Sequence, residues 1–468
     1  MRDSTSLLFL CVLSSTFLFT TRLEAADPPD VVVYLADDLS FRDLSIYADR
    51  GGSTPALIAL AADGMTFDYA FVASPSCAPS RAALLTGLMP ARNGAEENHS
   101  QPHEGTFRLP QTLKAMGYQL AAFGKVAHAK SAKQYGFEVI EAAKELPKLC
   151  SKVTQFLRER NDDRPLALFV GTSNPHVPWP SQTKVDAETV QLPPTFVDTP
   201  QTRVQRSRYL QEVHDLDAYL AELRSLATET LGPDHLFAFS SDHGAQFPLG
   251  KWTLYDEGTR VPLLFAWHGK IPAGTRTSAM VSWIDLFPTL IELAGGEVPA
   301  GLDGKSFADV LLGKETSHRK RIFTTHSGDR LMNVYPSRSV RELRFKYIRN
   351  PHPEFAFTTH IDLLLRPTSG DYFAEWTEKA KTDADAAHKV ARHHGRPLEE
   401  LYDLDADPYE QINLANDPEY AAQKTSLSSQ LDQWLETQGD QIRVFHEPLL
   451  LDAPETWKPR GWKGGTGR

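Results

Sequence analysis

The chain has 468 residues, 41% hydrophobic and 23% charged, which is enough for one large domain and a smaller one. Its 60 acidic side chains outnumber 49 Lys and Arg, and the net charge of -11 argues against general binding to nucleic acid or anionic membrane. Three cysteines in this length exclude a disulfide scaffold.

Residues 1–25 read as a secretory signal. Arg2 gives a positive start, 7–20 is apolar, and Leu23-Glu24-Ala25 offers a small-residue cleavage site. The apolar run is too short to span a bilayer comfortably, and no later stretch qualifies. Leu10 before Cys11 argues against a lipoprotein signal. The expectation is export to a periplasmic, secreted or lysosome-like compartment. Losing this segment removes Arg2, Arg22, Asp3 and Glu24, so the net charge is unchanged. Cys77 and Cys150 remain. If Cys77 does chemistry, Cys150 is most simply a buried small hydrophobe.

Short apolar runs then alternate with helical patterns, the signature of a mostly parallel α/β sheet. A β-branched strand over 31–36 ends at Asp37-Asp38, and Thr54-Pro55 opens a helix through about 62. The run 79–85 reads as the first turns of a helix, with Pro79 near its start. Strands follow over 119–123, ending at Gly124-Lys125, and over 166–170, ending near Asn174-Pro175-His176. A long amphipathic helix covers 207–230. The strand 236–240 ends at Ser241-Asp242-His243-Gly244, another strand spans 261–267, and a helix over 284–294 stops at Gly295-Gly296. Beyond about 320 the pattern loosens into a strand over 339–349, a short one over 401–403 and a closing helix over 419–438. The expected division is 26–325 for the catalytic domain and 326–468 for a smaller α+β domain. A mobile tail is expected from Trp457.

Four strands therefore hand over to charged or imidazole groups at their C-terminal ends, the edge where open α/β sheets bind ligands. Asp37 and Asp38 repel one another unless a cation or proton intervenes. With Asp242 and His243 they make a plausible site for one divalent ion. Oxygen ligands favour calcium or magnesium, and the imidazole leaves zinc or manganese open. In Cys77-Ala78-Pro79-Ser80-Arg81 a reactive side chain sits at a helix N-terminus that favours an anion, with Arg81 one turn on. Lys125, His128, His176 and Lys251, mostly following strands, complete the candidates.

On these residues the chain resembles the formylglycine-dependent sulfatases of the alkaline-phosphatase-like superfamily, over nearly all of its mature length. The resemblance implies an α/β/α sandwich with a mostly parallel sheet. It implies that Cys77 is oxidised by a formylglycine-generating or sulfatase-maturing enzyme. Asp37, Asp38, Asp242 and His243 would then hold the metal together with the modified residue. Arg81, Lys125 and His128 would orient the aldehyde hydrate, while His176 and Lys251 would contact the sulfate and assist the leaving group. One hydroxyl of such a hydrate attacks sulfur, and the other expels sulfate.

Within the family the resemblance is to the heparan N-sulfatase branch, through the 80–88 run, His99, His103, the 335–340 segment with Arg338, and the 400–403 segment. His99, His103 and Arg338 are expected to bind substrate. The Lys125-to-His128 spacing and His243 instead resemble iduronate-2-sulfatase, and Lys251 stands where the N-sulfatase branch has arginine. A sulfated saccharide is the implied substrate. Three rivals remain: an O-sulfatase on another glycan, a phosphatase or phosphonate monoester hydrolase of the same fold, and a catalytically silent glycan-binding protein.

Overall fold

The computed structural model describes residues 28–48, 52–128, 131–367 and 370–458. The signal expected at 1–25 lies outside them, as does the tail beyond residue 458. Among the described residues nine strands form the main sheet: β1 (Asp30–Ala36), β2 (Met65–Phe71), β3 (Gln119–Gly124), β4 (Val139–Glu141), β5 (Leu166–Gly171), β6 (His235–Ser241), β7 (Arg260–Val261), β8 (Leu263–Ala266) and β9 (Thr275–Ser282). Their order is β4-β3-β5-β1-β6-β8-β2-β7, with β9 also paired to β2. Strands β4, β3, β5, β1 and β6 are mutually parallel, and β8 turns antiparallel to β6.

Side chains on a strand alternate between faces, and β1 shows what that builds. Val32 and Tyr34 point into a core with Leu216 and Leu220 of the Pro200–Leu231 helix and with Leu149 and Val153 of the Leu146–Glu159 helix. Val31, Val33 and Leu35 point the other way, toward Leu84 and Leu85 of the Cys77–Thr86 helix and Phe287 of the Leu286–Leu293 helix. This is the predicted α/β/α sandwich. Each fully buried aliphatic side chain contributes about 1.5–3 kcal/mol.

A second, antiparallel sheet follows: β10 (Ile322–His326), β11 (Ser337–Arg341), β12 (Phe345–Arg349) and β13 (Glu399–Asp403), in that order. Leu427, Leu431 and Leu435 of the Ala421–Gln438 helix, one turn apart, pack on Val340, Tyr347 and Leu401 of this sheet.

Three expectations need correction. The 261–267 run is two strands, because Pro262 between them cannot donate to a ladder. The 339–349 run is a hairpin of β11 and β12 rather than one strand. The long helix starts at Pro200, where Thr199 accepts the Thr202 N–H as its cap.

Candidate active site

Backbone hydrogen bonds bind the loops beyond the four strand ends into one platform. Asp37 N–H donates to Asn174 O (3.1 Å), Asp242 N–H to Ala36 O (3.2 Å) and Lys125 N–H to Gly171 O (2.6 Å). The last approach requires glycine, since a Cβ on Gly171 would stand 2.1 Å from Lys125 O. Asp38 takes the left-handed backbone (φ 68°), which aspartate tolerates better than most residues. Its N–H donates to Asp242 Oδ1 at 3.1 Å.

Over this platform Cys77 opens the Cys77–Thr86 helix, every residue of which is buried. Its Sγ lies 3.3 Å from His243 Nε2, 3.3 Å from Lys125 Nζ and 3.6 Å from Asp37 Oδ1. His243 Nδ1 is 3.0 Å from the Gly244 carbonyl, so that nitrogen carries the proton and Nε2 presents a lone pair to the cluster. Arg81 lies beneath, fully buried, donating to Asp242 Oδ2 (2.9 Å) and to the carbonyls of Lys125 and Ala36. Lys125 Nζ pairs with Asp37. Lys251 Nζ is 2.9 Å from both Asp38 oxygens, and His176 Nε2 is 3.8 Å from Asp38 Oδ2.

Burial opposes ionisation of Asp37, yet Lys125, His176 and Arg81 hold its carboxyl well below the usual range. Asp38 is lowered against burial by His176 and Lys251. Burial pushes the Cys77 thiol up to about 12, although Lys125 and Lys251 pull the other way. The unmodified side chain is therefore a neutral thiol and a poor nucleophile. Burial also lowers His176, and it lowers His128 to about 3.

One ligand atom each from Asp37, Asp38, Cys77 and His243 lie within 4.8 Å of one another. This buried set of carboxylates and an imidazole fits one divalent cation. Asp242 stands beside it, with Oδ2 3.6 Å from His243 Nε2, its oxygens engaged by Asp38 N–H and Arg81. A second group, Asp362, His393 and His394, is also compact. There His394 Nδ1 faces the Phe357 carbonyl at 3.1 Å and His393 Nε2 faces Asp362 Oδ1 at 3.1 Å, as ordinary hydrogen bonds.

His99 joins the site, with Nδ1 2.8 Å from His128 Nε2 and Nε2 3.3 Å from Asp329 Oδ1. His103 instead lays its exposed ring over Gly94, and no hydrogen bond among the described residues ties that ring to the cluster. Arg338 is a correction. It is fully buried, and its guanidinium is spent on Asp440 (2.5 and 2.8 Å), the carbonyls of His326 (2.7 Å) and Ser337 (2.9 Å), and Ser327 (3.2 Å). No donor is left for a substrate. Asp329, Asn98 and Trp252 were missed. Nothing in their local sequence marks them.

Residues 29–296 match the Sulfatase family, and the chain belongs to it. Its residues 245–363 match the family described as N-sulphoglucosamine sulphohydrolase, C-terminal. The chain is 30% identical to an ulvan-active sulfatase of Formosa agariphila, over 89% of this chain and 81% of that one. It is 29% identical to the N-sulphoglucosamine sulphohydrolase of Homo sapiens, over 87% and 90% respectively. A solved structure in complex with its substrate D-glucosamine-2-N,6-O-disulfate shares the fold with a TM-score of 0.67 at 18% identity, covering 90% of this chain and all of that one. The protein is a sulfatase of the alkaline-phosphatase-like fold. Among the described residues no helix is long and apolar enough to cross a membrane.

Proposed function

We propose that this sulfatase removes sulfate from terminal residues of short sulfated saccharides, N-sulfoglucosamine first and an O-sulfated sugar second. The observation that carries the reading is the convergence of Asp37, Asp38, Cys77 and His243 on one point, flanked by Lys125 and Lys251. The match of residues 245–363 and the human relative support the N-sulfated choice. The ulvan-active relative supports the second. Export through residues 1–25 would bring the chain to such glycans, with 26–325 as catalytic domain and 326–468 as its smaller companion.

Cys77, once a maturation enzyme has oxidised it to formylglycine, supplies through its hydrate one hydroxyl to attack sulfur and another to release sulfate. Asp37, Asp38, Asp242 and His243 would hold a divalent cation, calcium in first place and magnesium in second, which would supply Lewis-acid stabilisation of the sulfuryl oxygens. The chain's own residues do the rest. Asp37, Asp38 and Asp242 balance Arg81, Lys125 and Lys251 charge for charge. With a divalent ion bound, the pocket would carry two net positive charges, suited to an anionic group. Lys125 Nζ, 3.3 Å from the reacting position, stabilises negative charge there. Arg81 orients Asp242 and the Lys125 backbone, and His128 acts from the rim. His176 Nδ1 faces the Val177 carbonyl at 2.5 Å and keeps its proton there, so Nε2 is the nitrogen that serves the leaving atom, and it delivers a proton only from the imidazolium form that the neighbouring Asp38 favours against burial.

The deciding assay measures sulfate released from N-sulfated and O-sulfated monosaccharides and from heparin-derived oligosaccharides, with matched aryl sulfate and phosphate esters as reference. Release from N-sulfoglucosamine is expected. Release from O-sulfated sugars alone would remove the first substrate. Faster release of phosphate than of sulfate would overturn the substrate reading altogether.

A further inference from the structure

Asp329 lies in the loop after β10, on the second-sheet side of the molecule, and its side chain is buried. The loop is pinned: Asp329 N–H donates to Asn333 O (2.7 Å), and Gly328 O accepts the Asn98 N–H (2.9 Å). Three donors converge on its carboxylate. Asn98 Nδ2 and Trp252 Nε1 reach Oδ2 at 2.9 and 3.0 Å, and His99 Nε2 reaches Oδ1 at 3.3 Å.

Each of these donors adjoins a different member of the active site. Asn98 Oδ1 accepts the Ala78 N–H at 3.1 Å, so Asn98 caps the helix that starts at Cys77, where Ser76 makes no side-chain cap bond. His99 meets His128. With the proton of a neutral His99 on Nε2, facing Asp329, its Nδ1 accepts and His128 presents its Nε2–H to it. Trp252 follows Lys251, the partner of Asp38, and holds a left-handed backbone (φ 69°) that a bulky residue rarely adopts. His99 shares that conformation, also at φ 69°. Burial disfavours the ionised Asp329, but His99, His360 and Asn98 hold its carboxyl far below the usual range.

We propose that Asp329 is a positioning residue that sets the helix start at Cys77, the tautomer and placement of His128 and the backbone that presents Lys251. This rests on the catalytic roles proposed above for those three residues. The rival is a carboxylate that merely stabilises the fold. The two readings part on kinetics, since a positioning residue acts on turnover in molecules that are fully folded and converted.

The test is Asp329→Asn, which keeps the shape but removes the charge and replaces one of the two accepting oxygens by an amide donor, so that His99 on one side or Asn98 and Trp252 on the other lose their acceptor. Steady-state hydrolysis of an aryl sulfate is followed, with Cys77 conversion and metal content measured on each preparation. The expected result is a kcat loss of about 10–100-fold, the scale for partners that orient ligating or reacting groups. KM should change by less than about threefold, with conversion and metal content unchanged. Asn98→Ala, His99→Ala and Trp252→Phe should each reproduce part of the loss and add little when combined with Asp329→Asn. A folded, converted Asp329→Asn enzyme with kcat within about twofold of wild type would overturn the proposal, and so would losses that add independently. If Asp329→Asn does not fold, an unchanged kcat in Trp252→Phe overturns it. Cys77→Ala is assayed in parallel: activity surviving there would refute the catalytic reading itself, whatever Asp329 does.

Discussion

Lys251 is the cation whose removal should be most informative. Its Nζ lies 2.9 Å from both oxygens of the buried Asp38 and is itself buried. Asp38 raises Lys251 against burial, so the lysine is charged throughout the accessible pH range. Lys251→Met keeps much of the volume and deletes the charge. A unit charge acting across about 4 Å at an effective dielectric near 20 is worth about 4 kcal/mol. If Lys251 meets the sulfuryl group at that range, kcat/KM should fall about a thousandfold. A second effect should accompany the first. Asp38 loses its partner, and breaking a buried pair costs about 3–5 kcal/mol. Added calcium should restore part of that stability, because the cation replaces the missing charge. Lys251→Arg keeps the charge and should lose far less activity. The assay is aryl sulfate hydrolysis at saturating metal, with thermal unfolding at two calcium concentrations. A folded, converted Lys251→Met enzyme within tenfold of wild type would refute the electrostatic reasoning.

Arg338→Ala should lower stability by about 3–5 kcal/mol, because it strands Asp440 in the interior; a changed KM with an unmoved melting temperature would contradict this and restore Arg338 to the substrate. Arg206→Met should cost a similar amount by denaturant titration, since Arg206 and Asp43 form a buried two-pronged pair; a loss below about 1 kcal/mol would count against it. Asp285 is driven up by burial but held at about 2 by Arg319. A lowered carboxylate gives stability above its unfolded pKa, near 4, that is lost as pH falls toward 2. The stability gap between wild type and Asp285→Asn should therefore narrow between pH 6 and pH 2.5, and a constant gap would be the contrary result.

The catalytic edge was legible because β1, β3 and β6 are local apolar runs that stop at a charged residue. The run at 31–36 followed by Asp37-Asp38 is one, and the run before Asp242-His243 is another. What escaped was whatever depends on distant partners or broken patterns. β2 carries half-exposed Asp68 and Tyr69 in its middle, and β9 opens with alternating exposure, so neither reads as a buried run. Arg338 was identified by its motif, but a motif cannot say which way a guanidinium points, and its partner Asp440 is 102 residues away. Asp329 meets Asn98 across 231 residues and Trp252 across 77, so only the fold assembles that group.

The central claim is that position 77 works as an oxidised residue rather than a thiol. Its most direct test is peptide mass spectrometry of the Cys77 peptide from active protein made in its native host. The account predicts a formylglycine aldehyde or its hydrate in proportion to specific activity. Fully active protein carrying only the unmodified thiol would contradict it.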